Sequence, residues 1–503
     1  MSFTSLQFIF CFVPLAYLGF VLAHRFGGPK QAINLLATVS LVFYGLWSLP
    51  LLGILLASMI VNFTAGNVIA SLNANPRIAK NLLAGAIAAN VALLGYFKYS
   101  NFFIDVANQL SATGLEHLNI AVPIGISFFT FVQIGYLIDA ANGKLLPHTF
   151  AKYIVFSAFF PCVTAGPLVL QQEMMEQLNA PRFPAFDARR VLIGVTMFAM
   201  GLCKKVLLAD SIAPFADSVF NGAQHGLAMN AGTSWMGAVS YTLQLYFDFS
   251  GYSDMAIGLG TIFAIKLPLN FNSPLRATNI SDFWRRWHMT MTRFFTAYLY
   301  SALAMAGMRN SMNWRWSRFG RFMLSAALPS IYTFLLAGIW HGAGWTYVIY
   351  GLMHGIAIAT FLGWREFTRL KLPTPLAWLI TMSTVVCGLV MFRAPDVSTA
   401  LTLFSNMAGL QGLGIDSAGL TFDSAQAMSL IVVMGAIALL LPNTQQILYQ
   451  EWPVIDHMPE ETPLAAGLVV WKPRLGSALL TACVMTAGIA SIGSSSGFLY
   501  YKF

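Results

Sequence analysis

The chain has 503 residues with 28 Lys+Arg against 19 Asp+Glu, so 9% of it is charged while 57% is hydrophobic and 14% aromatic. Ordinary soluble domains carry about 25% charged residues. So few charges cannot wet a soluble surface of this size, which excludes a soluble globular protein, a disordered chain and a nucleic-acid binder, and leaves an all-α polytopic membrane protein.

The first 23 residues have no basic n-region and no small-residue cleavage site, so they read as a retained first span rather than a signal peptide. Residues 31–76 contain no charge at all, enough for two spans that turn at Ser48-Leu49-Pro50. Arg25/Lys30 and Arg77/Lys80 bracket them, and the positive-inside rule places both clusters in the cytoplasm and the N-terminus outside. Further uncharged stretches cover 81–97, 118–138, 153–172, 322–364, 372–392, 424–450 and 475–501. Between 191 and 308 the apolar runs are short or cut by charge at Lys204-Lys205, Asp254 and Lys266. Irregular or charged backbone survives at membrane depth only when buried in protein or lining water, so this stretch predicts re-entrant segments around a polar chamber. Residues 309–321, with four Arg and two Trp, read as a cytoplasmic interfacial helix or as a plain basic loop. The long polar-tolerant loops are 395–423 and 442–474, the second with Glu451, Asp456, Glu460 and Glu461. The five cysteines (Cys11, Cys162, Cys203, Cys387, Cys483) have no metal-binding spacing and read as small core residues. Residues 1–503 read as one membrane-embedded domain: N-terminal spans over 1–190, a core over 191–364 and C-terminal spans over 365–503.

An ionisable residue inside a span is a functional hypothesis by default. His341 and His354 lie in the charge-free 322–364 stretch, and Gly338, Gly342 and Gly344 allow the helix to break beside His341. On one helix the two rings would be ~20 Å apart, so His341 is the site candidate and His354 a packing residue. A neutral imidazole suits general-base work near pH 7; the alternative is that His341 only packs against a backbone carbonyl. In 281–300, Trp284, His288, Thr292 and Phe295 would share a helical face. Arg285, Arg286 and Arg293 flank that histidine and could hold an anionic donor, or simply snorkel to headgroups. In 241–254, Gln244, Asp248 and Tyr252 share a face and Ser250-Gly251 invites a kink. Asp248 would either pair with those arginines in the chamber or tie two spans together.

FWRRWH (283–288) followed by WHG (340–342) resembles the membrane-bound O-acyltransferase family, closest to its bacterial branch acting on alginate and teichoic acids. VPIGISFFTF (122–131), FFPCVTAGP (159–167), KKVLLAD (204–210), YFDFSGYSDMAIG (246–258), LPLNFNSP (267–274) and the terminal FLYYKF (498–503) extend the likeness along the chain. The resemblance implies a ring of about 11–13 transmembrane and re-entrant helices around a central funnel, at ~20 residues per span. It also implies that His341 and His288 are the catalytic pair, with His341 as general base on an acceptor hydroxyl that attacks a thioester. Gln244, Asp248, Ser250, Tyr252, Trp284, Arg285, Arg286 and Trp340 would then organise the chamber wall around substrate. His341 should be reachable from both leaflets.

No tightly bound cofactor and no metal is implied; the donor is an acyl thioester, from acetyl-CoA or a cytoplasmic acyl carrier. The expected setting is the lipid bilayer of a bacterial inner membrane, with a periplasmic esterase-like transferase as partner and an exported polysaccharide as acceptor. D-alanylation of a cell-wall polymer is the alternative within this chemistry. A secondary transporter or flippase relaying ions through Asp248, Asp254 and Lys204/Lys205 is the alternative outside it, and no inverted repeat supports it. Thr296-Ala297 stand where the bacterial branch usually has Arg-Asp, SALAMAGMRNSMN (301–313) replaces a Gly-Gly-Asn-bearing stretch, and Leu170-Gln171 replace the usual Arg-Tyr. The first two departures fall on the donor side.

Overall fold

The computed structural model describes the chain except residues 73–74, 112–113, 181–182, 184–185, 314–315, 417–419, 421–422, 452, 456–469, 494–496 and 500–503. Trp314 and Arg315 of the basic segment, Asp456, Glu460 and Glu461 of the long loop, and most of FLYYKF lie outside the described residues. Among the described residues the regular structure is helical, with two isolated bridges, Leu267 to Val454 and Phe271 to Trp287.

In chain order the helices are α1 Phe8–Gly45, α2 Leu49–Ser71, α3 Pro76–Ser111, α4 Ile126–Ala141, α5 Phe150–Ala158, α6 Gln171–Leu178, α7 Ala188–Gln224 and α8 Ala231–Ile262. There follow α9 Ile280–Arg286, α10 (289–313), α11 Arg318–His341, α12 Trp345–Phe367, α13 Thr374–Arg393, α14 Val397–Met407, α15 Ser424–Leu440 and α16 Leu475–Ala490. Seven of them, α1, α2, α3, α7, α11, α12 and α13, are long and apolar enough to cross a membrane. Helix α1 breaks at Gly28 (φ 72°), with Pro29 next, so it is two rods turning between Arg25 and Lys30. That matches the first two spans read from the sequence. The protein is a multi-pass membrane protein.

The 191–308 stretch departs from expectation. Lys204-Lys205 do not interrupt α7, which stays helical through a wide π turn at Lys204–Ala209. Helix α8 runs unkinked for 32 residues through Ser250-Gly251 and is buried on nearly all sides. The charges are tolerated because they pair: between the two helices, Lys204 with Asp254 at 2.6 Å and Lys205 with Asp248 at 2.7 Å, and within α7, Lys205 with Asp210 at 2.7 Å. Asp248 and Asp254 thus find α7 lysines, not the arginines of 285–293. The glycines serve approach rather than bending: a Cβ on Gly201 would lie 2.5 Å from the Gly251 carbonyl oxygen, and one on Gly194 2.5 Å from that of Gly258. Helix α8 is the central post, against which α7, α13, α14 and α15 pack.

Within 191–308 the irregular backbone lies at 225–230, at 263–279 and at the α9–α10 bend. Its polar groups are satisfied inside the protein. Asn272 N donates to the Arg286 carbonyl (2.9 Å), Met289 N to the Asn270 carbonyl (3.0 Å), and Gln177 clasps both sides of Lys266.

Candidate active site

Helices α11 and α12 form a hairpin whose crossing is set by glycine: a Cβ on Gly338 would meet the Tyr347 carbonyl oxygen at 2.3 Å, and one on Gly351 the Phe334 carbonyl oxygen at 2.4 Å. Helix α11 stops at His341 because Gly342 and Gly344 are extended and α12 restarts at Trp345, while the Tyr347 ring fills the space of any side chain at 342. This leaves the last α11 carbonyls without helical partners. They are met from α3: Tyr99 Oη donates to the Ile339 carbonyl (2.5 Å), and Lys98 Nζ to those of Trp340 (2.8 Å) and His341 (2.9 Å).

The buried His341 ring packs against Trp340, Phe392 and Tyr350, at centroid distances of 4.9, 5.2 and 6.1 Å. It lines a cavity of about 460 Å³ with Lys98, Gly125, Ser127, Thr164, Trp340 and Tyr347. Lys98 lies 98 − 76 = 22 residues into α3, about 33 Å from the Arg77/Lys80 end. This cavity is therefore on the face opposite those basic residues, and exposed Ala343 marks its mouth.

His288 occupies the bend between α9 and α10 in the left-handed region (φ 44°, ψ 50°). The expected single face of Trp284, His288, Thr292 and Phe295 is therefore not formed: the helix breaks at Trp287, which bridges to Phe271. The break swings the His288 ring to within 6.4 Å of His341 and 6.1 Å of Trp340, centroid to centroid, edge-on to Phe249 at 4.8 Å. Asn270 sets its proton. Asn270 Nδ2 donates to Ser253 Oγ (3.1 Å) and Oδ1 accepts from Thr290 Oγ1 (3.0 Å), so the oxygen is what faces His288 Nδ1 at 3.1 Å. Nδ1 carries the hydrogen and Nε2 the lone pair.

Trp284 points away, donating to His354 Nδ1 (3.3 Å). With Arg285, Thr292 and Thr296 it lines two adjoining hollows of about 250 and 450 Å³. The first is bounded also by Thr333, Phe334 and Ala337 and lies toward the Arg318 end of α11. Thr292 Oγ1 and Thr333 Oγ1 have no partner among the described residues. Contrary to expectation, among the described residues His341 lines the upper cavity and neither of these lower hollows: the first lower hollow ends at Ala337, one helical turn short, where Trp284 packs on Phe334 and His354. The family departure Thr296-Ala297 falls on the walls of these lower hollows.

The structure brings His341, His288 and Trp340 together and leaves other candidates apart. Arg285 and Arg286 pair with Asp282 (3.1 and 2.9 Å), and Arg285 alone of the two lines a hollow. Tyr252 reaches the upper cavity through Thr164 (2.6 Å). Gln244, Asp248 and Ser250 are buried in α8 and line none of these hollows. His354 packs under Gly388, where a Cβ would lie 2.3 Å from its Nε2. Sequence reasoning missed Lys98, Ser127 and Asn270. Lys98 had a signal, as an ionisable residue ending an apolar run inside a span; Asn270 stood unmarked within LPLNFNSP.

The model of the MBOAT, membrane-bound O-acyltransferase family, matches residues 137–404. The chain is 38% identical over 442 residues to the peptidoglycan O-acetyltransferase of Helicobacter pylori, covering 82% of this chain and 81% of that one. It is 36% identical over 413 residues to the Azotobacter vinelandii protein named "Probable alginate O-acetylase AlgI" (81% and 78%). To the teichoic acid D-alanyltransferase of Lacticaseibacillus rhamnosus it is 26% identical over 313 residues (57% and 75%). This chain belongs to the membrane-bound O-acyltransferase family and is an O-acyltransferase.

Proposed function

We propose that the protein moves an acetyl group from a thioester donor on the Arg/Lys-bracketed, cytoplasmic side of a bacterial inner membrane to a hydroxyl on the other side. The acceptor is an exported polysaccharide, reached directly or through a periplasmic relay transferase. The names of the two more similar relatives support acetyl and polysaccharide. The observation that carries the reading is the placement of the His341 ring at the floor of the upper cavity, with a second imidazole 6.4 Å away and donor-sized hollows one turn of α11 below.

In this reading the acceptor enters the upper cavity, and a His341 nitrogen takes the hydroxyl proton as the oxygen attacks the thioester carbonyl. The new C–O bond forms, the C–S bond breaks, and the departing thiolate recovers the proton from the imidazolium. His288, held with Nδ1–H on Asn270, offers its Nε2 lone pair toward the reacting groups. The donor arm occupies the lower hollows, where Thr292 and Thr333 hydroxyls can meet its polar groups and Arg285 its anionic end. The turn of α11 between the hollows must open to let donor and acceptor meet, a side-chain rearrangement at Trp284 and Phe334.

The test gives detergent-purified protein radiolabelled acetyl-CoA with peptidoglycan fragments or alginate oligosaccharides. Label on the polysaccharide supports the reading. No acetyl transfer, with label moving instead from a D-alanyl carrier thioester, would replace it with D-alanylation.

A further inference from the structure

We propose that Lys98, with Tyr99 beside it, is a positioning residue that clamps the end of α11 and so holds the His341 ring in the cavity floor. The inference rests on the reading of His341 as the general base, and it names the part of the chain that keeps this base in place.

The end of α11 needs such a part. Its last carbonyls face no following helical turn, because Gly342 and Gly344 are extended, so they need partners from outside the helix. Two glycines within three residues give the backbone no stiffness of its own. A cation at this terminus also meets the negative end of the helix dipole.

Lys98 answers each need at once. Its ammonium has three protons and three acceptors: the carbonyls of Trp340 (2.8 Å) and His341 (2.9 Å), and Ser127 Oγ (3.0 Å). With all three engaged, it holds rather than reacts. Ser127 closes the loop, since its carbonyl accepts from Trp340 Nε1 at 3.1 Å. Three helices are thereby tied at the histidine: α3 through Lys98 and Tyr99, the first turn of α4 through Ser127, and α11 through three successive residues. The device is local to a π turn in α3, Gly95–Tyr99. Such wide turns shift side-chain register, and here two consecutive residues address one helix end. Lys98, Ser127, Trp340 and His341 are neighbours in the wall of the same cavity, so a slip of this joint moves the ring relative to whatever sits there.

The test compares Lys98→Met, Lys98→Arg and Tyr99→Phe with the unaltered protein. Amide hydrogen exchange over 336–345 and label transfer from acetyl-CoA to polysaccharide fragments are both followed. Lys98→Met should speed exchange at the α11 end at least about ten-fold while leaving α7 and α8 unchanged. It should lower kcat about ten-fold or more with KM for acetyl-CoA unchanged, because the base is misplaced and the donor hollows are intact. Lys98→Arg should restore part of kcat, and Tyr99→Phe should show a milder loss of the same kind; this second variant decides the matter if Lys98→Met does not fold. Unchanged exchange at 336–345 in a folded variant overturns the clamp, as does a loss confined to KM. The exchange readout does not depend on acetyl transfer, so a failure of the His341 reading, seen as full activity in His341→Ala, stays distinguishable from a failure of the clamp.

Discussion

His288 and Asn270 form a unit in which the amide decides what the imidazole can do. Asn270 Oδ1 can only accept, so it fixes the hydrogen on Nδ1 and leaves Nε2 basic. Asn270→Ala removes that choice while leaving both imidazoles in the chain. We expect kcat to fall roughly ten-fold with little change in KM, and His288→Ala to cost more, in the range of about 10²–10⁴ for a lost acid–base group. Steady-state kinetics of acetyl transfer measures both, and equal activity in Asn270→Ala and the parent would show that the tautomer does not matter. At this scale the histidines were legible in the sequence: His341 because an uncharged, glycine-rich stretch makes an ionisable residue conspicuous, and His288 because it stands among the arginines of FWRRWH. Their geometry was not. The left-handed turn at His288 depends on a non-helical segment around Asn270, 18 residues upstream, which no helical periodicity reports.

Between elements, the joint of α7 and α8 is a close glycine-to-carbonyl contact flanked by two buried ion pairs. Asp254 accepts from Lys204 (2.6 Å), Thr444 Oγ1 (2.7 Å) and Gln445 Nε2 (2.7 Å). Asp254→Ala strands a lysine and two polar side chains in the interior, and breaking such a pair costs about 3–5 kcal/mol. Thermal unfolding in detergent should show a large drop, with a smaller one when Lys204→Met accompanies it. A double variant no more stable than the single one would mean the pair is not what matters. Gly201→Leu should destabilise by at least about 1–3 kcal/mol through overpacking, read in the same melt, since the backbone of α8 cannot yield. The sequence marked the charges at 204, 205, 248 and 254 as interruptions because it shows charge without its partner. Seen across the helix interface they are the reason two long helices stay long. The same blindness sent Asp248 toward arginines that in fact bind Asp282 and Glu173.

For the molecule as a whole, the N-terminal spans over 1–71 and the break between Arg25 and Lys30 followed from composition, since about 20 apolar residues between basic clusters admit few arrangements. The uncharged stretch 153–172 instead holds the short α5 and no span, and in 191–308 α7 and α8 are long helices rather than broken ones. The two-sided access to His341 did not follow so simply: a 460 Å³ cavity reaches it from one face, and the hollows from the other stop at Ala337. Opposite sidedness is testable by labelling. Ala343→Cys should react with a membrane-impermeant thiol reagent added outside intact cells, and Arg285→Cys should react in inside-out vesicles; labelling of both from one side would contradict opposite sidedness, and the exchanged pattern would reverse the donor and acceptor assignments. Filling the lower hollow with Thr333→Phe should raise KM for acetyl-CoA several-fold while sparing the acceptor KM, because only the lower wall changes.

All of this turns on the imidazole at the end of α11. The most direct measurement is acetyl transfer by His341→Ala beside the unaltered protein, with folding checked by melting and chromatography. A folded variant slowed by about 10²–10⁴-fold at unchanged donor KM is the result the account requires. A folded variant that transfers acetyl at the parent rate would contradict it.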